Sequence, residues 1–420
     1  MSNWLTGLQL AARSLANRRA TALLTALSIA VSVALLVGVN RVRSEARASF
    51  TQTISGAELI VGARSGPINL LLYSVFRIGN ATNNVAYTSY QRVIARPEVA
   101  WAIPISLGDS HRGYRVMGTD DSYLAHYRYG NDQPLALAAG EPFKLVTDAI
   151  LGFDVAQTLG YQVGDPIVVS HGIGATSFTD HDNWPFQVSG ILKRTGTPVD
   201  RTVHISLPGI EAIHSESDPP EGGSIAISEA AAYGLETENI TAFILGLNSR
   251  LELFGFQRLV NQFPDEPLLA IIPGVTLQEL WGLVGNAELA LLVVSAFVVL
   301  AGLIGLMTTL LTAMAERRRE MAVLRSVGAG PGLIAALMIF EAGLIALVAA
   351  VTGVLGVHLG MLGARDVVLN MTGINLSAGG PGTFDLAVIG VVTGAAMLIA
   401  AIPAWRGYRH TLADGLTIRL

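Results

Sequence analysis

The sequence contains no cysteine, only two lysines and few charged residues of either sign. Without thiols the chain cannot form disulfide bonds, thiolate metal sites or a cysteine nucleophile. Charged residues make up 14% of its 420 residues, whereas a soluble domain has about 25%. Because 51% of the residues are hydrophobic and the mean hydropathy is +0.49, the composition excludes a disordered or nucleic-acid-binding chain and indicates a membrane protein.

Nucleotide-binding and hydrolase motifs are also missing. A P-loop needs a lysine directly after a glycine, but Lys144 follows Phe143 and Lys193 follows Leu192. The sequence has no His-Glu-x-x-His, Gly-x-Ser-x-Gly or Ser-x-x-Lys motif either. We therefore expect no cofactor in this chain and no catalysis by it.

Four stretches of the sequence are apolar and long enough to cross a bilayer as helices, which takes about 20 residues. They cover residues 20–39, 287–315, 333–359 and 386–405. Lys and Arg near the ends of such helices stay on the cytoplasmic side. The arginines that follow this rule are Arg13, Arg18, Arg19, Arg317, Arg318, Arg319, Arg325, Arg406, Arg409 and Arg419. Both termini are therefore predicted to be cytoplasmic, and residues 40–286, which have a normal soluble composition, are predicted to lie outside.

A regular apolar stripe precedes the first span. It comprises Trp4, Leu8, Ala11 and Leu15. Their spacings of four, three and four residues place them on one helix face. We interpret the segment as a helix that lies in the cytoplasmic leaflet with Trp4 at headgroup depth; a frayed basic terminus is the alternative.

Small residues repeat at helical spacing inside two of the spans. In the first span they are Thr21, Thr25, Ser28 and Ser32, and in the third they are Gly353, Gly356 and Gly360. Small and hydroxyl-bearing residues allow helices to approach closely and to hydrogen-bond across the contact. Both stripes are therefore predicted to pack against other transmembrane helices.

Two features of the outer segment have a structural and a functional interpretation. The apolar residues between Pro67 and Ile78 predict a helix that either belongs to a core or touches lipid or substrate. His171, Asp180 and His181 could supply imidazole and carboxylate ligands to zinc. Their spacing is not that of a known metal motif, so solvated loop residues are the simpler interpretation.

A charged segment follows the second span. It reads Glu316-Arg-Arg-Arg-Glu-Met-Ala-Val-Leu-Arg-Ser-Val-Gly-Ala329. Taken alone, a basic run at this place is a topology signal. The next span has a carboxylate, Glu341, in its first part, and an ionisable residue within a span indicates function. Glu341 is predicted to lie at the cytoplasmic edge and to pair with Arg317, Arg318, Arg319 or Arg325, or else to extend to the interface without a role.

These residues resemble those of the FtsX/MacB-type permeases of ABC transporters, the type VII or mechanotransmission class. The family signature E-R-x-x-E-[IM]-[AG]-[IV]-L-[RK]-[AS]-[LV]-G-A is matched by Glu316, Arg317, Glu320, Leu324, Arg325, Gly328 and Ala329. Phe340-Glu341-Ala342 and Pro403-Ala-Trp-Arg406 are similar to family motifs of the third and fourth spans. The segments 151–169 and 186–192 resemble a helix, a Gly-Asp turn and strands of the family's outer domain.

The resemblance implies an α-helical membrane protein with four transmembrane helices and a large α+β, MacB-like extracytoplasmic domain inserted between helices 1 and 2. The predicted boundaries are 1–19 cytoplasmic amphipathic helix, 20–39 helix 1, 40–286 outer domain with helical stalks, 287–315 helix 2, 316–332 cytoplasmic coupling segment, 333–359 helix 3, 360–385 short outer loop, 386–405 helix 4 and 406–420 cytoplasmic tail. Contact with an ATPase is implied for the residues 316–329, with Arg318 and Arg319 included, and for Glu341.

The implied function is that of a permease subunit in a bacterial inner membrane, paired with an identical or paralogous permease. A separate cytoplasmic ATPase binds ATP and Mg²⁺, and its closure moves the outer domain for export or outer-leaflet extraction of a peptide, lipid or lipoprotein. A periplasmic adaptor, a binding protein or an outer-membrane channel are further partners to test. Two alternatives stay open: a signalling scaffold that controls a cell-wall hydrolase, and a zinc-handling transporter that works with a soluble binding protein.

Overall fold

The computed structural model describes residues 19–171, 184–215, 225–316, 330–372 and 380–413. It divides into two compact units. The transmembrane unit consists of Met1–Glu45, Gly285–Asp366 and Leu376–Leu420, and the outer unit consists of Ala46–Val284 and Val367–Asn375.

The described residues form ten α-helices and fifteen strands. The helices are α1 (Arg19–Gln52), α2 (Pro67–Val75), α3 (Tyr87–Ile94), α4 (Asp121–His126), α5 (Phe153–Leu159), α6 (Leu207–His214), α7 (Leu253–Asn261), α8 (Pro273–Glu316), α9 (Pro331–Thr372) and α10 (Thr383–Ala413). The strands are β1 (Leu59–Ala63), β2 (Val85–Ala86), β3 (Val99–His111), β4 (Tyr114–Thr119), β5 (Arg128–Tyr129), β6 (Gln133–Pro134), β7 (Leu137–Gly140), β8 (Asp148–Leu151), β9 (Pro166–Ile167), β10 (Ser170–His171), β11 (Phe186–Leu192), β12 (Thr202–Ser206), β13 (Asn239–Ile240), β14 (Ala242–Leu247) and β15 (Leu268–Ile271). Short 3₁₀ turns cover Pro198–Arg201, Ile227–Tyr233 and Arg250–Glu252.

Within the described residues, four helices are apolar and long enough to cross a membrane: α1, α8, α9 and α10. Each is longer than the span predicted from hydropathy. α1 continues to Gln52, and α9 continues through the first part of the predicted 360–385 loop to Thr372. Hydropathy detects where a helix can lie in lipid, whereas the helix itself continues as long as its backbone hydrogen bonds can form.

The outer unit is built on a mixed sheet. In the described residues its main strand order is β15-β1-β14-β3-β4-β12-β8-β11-β7, with β10 beside β3 and β9 beside β11. The pairs β4–β12 and β8–β11 are parallel, and the other pairs in this order are antiparallel. Strand β3 is 13 residues long and pairs with β14 through its first half and with β4 through its second half. A register shift between Leu107 and Ser110 separates the second half into two stretches.

The apolar segment that begins at Pro67 is a core helix of this unit. Leu70, Leu71 and Tyr73 of α2 are at most 1% exposed and pack in the main cluster of buried side chains. Ile78, which follows the helix, is 51% exposed. This burial supports the interpretation of the segment as a core helix. Each large side chain that it buries stabilises the outer unit by roughly 1.5–3 kcal/mol.

Candidate functional site

The predicted ATPase-contacting segment lies mostly outside the described residues. The residues concerned are Arg317, Arg318, Arg319, Glu320, Leu324, Arg325, Gly328 and Ala329. The N-terminal stripe of Trp4, Leu8, Ala11 and Leu15 lies outside them as well. The structure shows that α8 ends at Glu316 and that α9 begins at Pro331, so the segment connects the ends of two transmembrane helices.

Glu341 is a buried residue of α9. Its relative exposure is 9%, and the neighbouring Ala342 and Ile345 belong to the apolar core of the transmembrane unit. It lies ten residues after Pro331, which is about 15 Å along the helix. Its pairing with one of the cytoplasmic arginines stays a prediction.

Two hydroxyl groups of the first small-residue stripe connect α1 to α8. The Oγ1 atoms of Thr25 and Thr309 are 3.1 Å apart. The Ser32 hydroxyl lies 2.7 Å from the carbonyl oxygen of Ser28 and 3.2 Å from that of Val298 on α8. Thr25 and Ser32 are buried, whereas Thr21 and Ser28 are exposed. The two buried members of the stripe, Thr25 and Ser32, thus lie on the face of α1 that packs against α8.

α1 and α9 approach each other closely at Gly353. A Cβ atom at this position would lie 2.5 Å from the carbonyl oxygen of Ala30 and 3.1 Å from the Cβ atom of Val33. At Gly356 and Gly360 an added Cβ would meet no described atom within 4 Å. Of the three glycines, Gly353 alone thus has a close neighbour on another helix in the described part of this chain.

A cluster of polar side chains that the sequence analysis missed joins α1, α9 and α10. Arg41 Nη2 lies 3.1 Å from His358 Nε2 and 2.6 Å from the carbonyl oxygen of Gly380. His358 Nε2 is 3.6 Å from an oxygen of Asp385, which accepts a 2.8 Å hydrogen bond from the Gly382 backbone. The relative exposures of the His358 and Asp385 side chains are 14% and 3%. The sequence offered a weak signal for this cluster, because only His358 lies within a predicted span, where ionisable residues are rare. Arg41 and Asp385 lie just outside the predicted spans 20–39 and 386–405.

His358 connects α9 to Arg41 through its two ring nitrogens. Its Nδ1 atom lies 2.9 Å from the carbonyl oxygen of Val354 in the same helix. A guanidinium can only donate, so Nε2 is placed to accept from Arg41. The carboxylate of Asp385 lies beside this contact.

The helices α1 and α8 also contact each other through residues 43–50 and 281–288, and we call these two segments the stalk. In the transmembrane unit, Arg43 Nε is 2.7 Å from a carboxylate oxygen of Glu288. In the outer unit, the Arg47 guanidinium lies 5.8 Å from the Trp281 ring centre, and the Phe50 ring packs edge-on against that ring at 5.6 Å. In each unit, α1 and α8 are thus joined by contacts between charged or aromatic side chains.

The histidines of the outer unit that the structure describes have structural partners. His111 contacts the Val168 carbonyl oxygen at 2.7 Å and the Tyr161 hydroxyl at 3.1 Å. Among the described residues, no group of three or more His, Asp or Glu side chains is placed to hold a metal ion. The predicted zinc ligands, the side chain of His171 together with Asp180 and His181, lie outside those residues.

The buried His204 makes the stability of the outer unit depend on pH. Burial, and then the charge of Arg77, lower the pKa of His204 to about 3. The unfolded chain has the higher pKa, so the stabilisation is complete above about pH 6.5 and is lost as pH falls towards 3. We expect a loss of about 2 kcal/mol at about pH 5. This loss of stability can be measured by hydrogen exchange of backbone amides of the outer unit in the full chain. The measured exchange rates are corrected for the pH dependence of intrinsic amide exchange.

In the variant His204→Leu the free energy of unfolding of the outer unit should change less as the pH falls, since leucine has a similar size and does not titrate. The half-exposed His214 provides the control variant His214→Leu. Parallel curves for wild type and His204→Leu between about pH 7 and pH 5 would contradict the prediction.

Comparison with known proteins assigns both units to families. The model of the FtsX-like permease C-terminal region matches residues 292–412, and the model of the MacB-like periplasmic core domain matches residues 22–234. No curated protein matches the chain significantly.

Two solved structures are similar to part of the chain. The periplasmic region of MacB from Actinobacillus actinomycetemcomitans has 10% identity and a TM-score of 0.35, with 54% of this chain and 94% of that chain covered. The extracellular domain of the noncanonic ABC-type transporter YknZ from Gram-positive bacteria has 12% identity and a TM-score of 0.30, with 51% and 98% covered. The family assignment rests on the sequence matches.

Proposed function

The chain belongs to the FtsX/MacB-type permeases of ABC transporters, and we propose that it converts ATP hydrolysis by a separate cytoplasmic ATPase into movement of its outer unit. The observation that carries the proposal is the presence of both family matches in one chain. The permease match covers most of the second span and all of the third and fourth, and the core-domain match covers the first span and most of the outer unit. A permease of this family is not itself the ATPase, so the family implies an ABC ATPase as partner.

The stalk supports mechanical coupling. α8 is continuous for 44 residues from Pro273 to Glu316, about 66 Å at 1.5 Å per residue. It contributes residues to both units, as does α1, and it ends where the predicted coupling segment begins. A displacement applied next to Glu316 is transmitted along the helix, because its backbone hydrogen bonds resist extension.

The proposed cargo is a peptide, lipid or lipoprotein that is exported or extracted from the outer leaflet. We place the chain in a bacterial inner membrane with both termini in the cytoplasm, because the arginines near the span ends follow the positive-inside rule. A second permease, identical or paralogous, completes the membrane part. This pairing is consistent with the exposed Thr21, Ser28, Gly356 and Gly360, since small residues favour helix contacts in membranes.

The proposal is tested by purifying the tagged chain from its native membrane in mild detergent and identifying the proteins that accompany it by mass spectrometry. We expect an ABC ATPase, and an adaptor or outer-membrane channel would indicate export. A cell-wall hydrolase would instead support the signalling scaffold, and a metal-loaded binding protein would support the metal-handling alternative. Repeated recovery without any ATPase would contradict the proposed function.

The double variant Glu320→Ala, Arg325→Ala tests the coupling segment. We expect the permease and the ATPase still to assemble, while ATP turnover loses most of its dependence on the permease, because two charged groups of the proposed contact are gone. The measurement compares ATP hydrolysis by the complex with that by the ATPase alone. The control variant is Arg92→Ala in the outer unit, which removes an exposed ion pair with Asp265. Turnover equal to wild type in the double variant would refute the assignment of these residues.

A further inference from the structure

The outer unit contains a cleft of about 390 Å³ that the proposed function does not use. Arg77, Arg115 and Arg201 contribute its charged lining. The apolar lining consists of Phe50, Phe76, Ile78, Tyr114 and Pro198. No aspartate or glutamate among the described residues lines it, although the chain as a whole has a net charge of −5.

The charges of two of these arginines are not neutralised by the protein. Arg115 donates hydrogen bonds to the carbonyl oxygen of Gly79 at 2.5 Å and to the side-chain oxygen of Asn80 at 2.9 Å. Arg77 donates to the carbonyl oxygen of Ser74, and its Nη2 atom lies 2.7 Å from the Sδ atom of Met117. Its Nε atom is buried and has no hydrogen-bond partner among the described residues. In the described part of the chain, neither guanidinium has a carboxylate within salt-bridge distance. A buried donor or charge without a partner is costly, and an anion bound in the cleft would supply acceptors for these groups.

The backbone conformation of Arg77 is also unfavourable. Its φ angle is +60°, in the left-handed region that glycine adopts most easily. A side chain at such a position is strained, and this kind of strain concentrates at ligand sites. The chain thus keeps an arginine at a position where glycine would be less strained.

The two unneutralised charges influence each other. Burial, and then the charge of Arg77, lower the pKa of Arg115. A bound anion between them would remove this repulsion. The planar guanidinium group can form paired hydrogen bonds with the oxygens of a phosphate or carboxylate.

We propose that this cleft binds one anionic lipid, with its phosphate at Arg77 and Arg115 and its acyl chain along Phe50, Phe76 and Ile78. The volume suits one small ligand, since ligand pockets measure about 300–1,000 Å³. A protein partner needs far more area, about 800 Å² on each side. The proposed site is a property of this chain alone, so it does not depend on the proposed coupling to an ATPase.

The experiment uses the full chain in neutral detergent and follows lipid binding by native mass spectrometry. The probe is palmitoyl lysophosphatidylglycerol. We expect Arg115→Gln to weaken binding at least tenfold, and Arg201→Gln provides a second variant at the same cleft. The control is Arg112→Asn, which removes an equal charge from the adjacent turn, where Arg112 lies over the Tyr161 ring and does not line the cleft. Asparagine tolerates the positive φ of that position.

Two further ligands distinguish the sources of affinity. Glycerol 3-phosphate has the anionic group without the chain, and palmitoyl lysophosphatidylcholine has the chain without net negative charge. We expect both to bind at least tenfold more weakly than the probe. Equal binding of either ligand, or equal loss in the Arg112→Asn control, would overturn the proposal. Because no ATPase is present, failure here leaves the proposed function standing, and failure of coupling leaves this site standing.

Discussion

Replacing Gly353 by leucine should prevent α1 and α9 from packing together. An added Cβ would lie 2.5 Å from the carbonyl oxygen of Ala30, and a backbone atom cannot move aside as a flexible side chain can. Overpacking a well-packed site costs about 1–3 kcal/mol, and for a whole leucine side chain against backbone we expect a loss of stability of about 3 kcal/mol or more.

The measurement is the thermal stability of the purified chain in detergent, together with its yield from the membrane. Gly356→Leu is a matched control on the same helix, since an added Cβ there meets no described atom within 4 Å. Gly353→Leu should lower both quantities strongly, while Gly356→Leu should keep the single chain stable. If both variants were equally stable, the observed approach of α1 to α9 would be refuted. A selective loss of dimers in Gly356→Leu would support a contact with a second permease at that face.

Replacing Arg41 by methionine should destabilise the transmembrane unit almost as much. The change leaves His358 Nε2 and the Gly380 carbonyl oxygen without their donor, and it removes the cation from the surroundings of the buried Asp385. A buried acceptor that loses its donor costs about 1–3 kcal/mol. Because two acceptors lose their donor here, we expect about 3 kcal/mol.

Arg43→Met is the matched control, two residues further along the same helix. Its partner Glu288 is 15% exposed and Arg43 itself 35% exposed, so this pair is partly solvated and we expect the smaller loss of about 1 kcal/mol. Thermal unfolding in detergent compares the two variants. Arg41→Lys should fall between wild type and Arg41→Met, because an ammonium group lacks the fork that reaches two acceptors. Equal stability of Arg41→Met and Arg43→Met would contradict the role of the cluster.

The position of the polar cluster relates it to the proposed movement. Arg41 belongs to α1, His358 to α9 and Asp385 to α10, so it holds three of the four apolar helices of the described chain together. Thr25 and Ser32 hold α1 to α8. If α1 moves in the proposed cycle, these contacts must either break or move together with it. Variants that weaken them should therefore alter the proposed coupling of ATP hydrolysis to movement of the outer unit as well as stability.

Several features could be predicted from the sequence because they depend on local properties. The four spans follow from the length of apolar runs, which the thickness of a bilayer sets directly. The family follows from a contiguous signature around Glu316 and Arg325, and both family matches agree with it. The core character of the helix at Pro67 was one of two interpretations, since an apolar run does not show what covers it.

The sequence by itself thus determined the number of spans, the family and the place of the outer domain between the first two spans. Only the tertiary structure decided which small residues make contacts, that Arg41, His358 and Asp385 form one cluster, and that Arg77 and Arg115 share a cleft. Arg41 and His358 are 317 positions apart in the chain. Such contacts depend on the angle at which helices and strands meet, and periodicity along one element contains no information about the element that faces it.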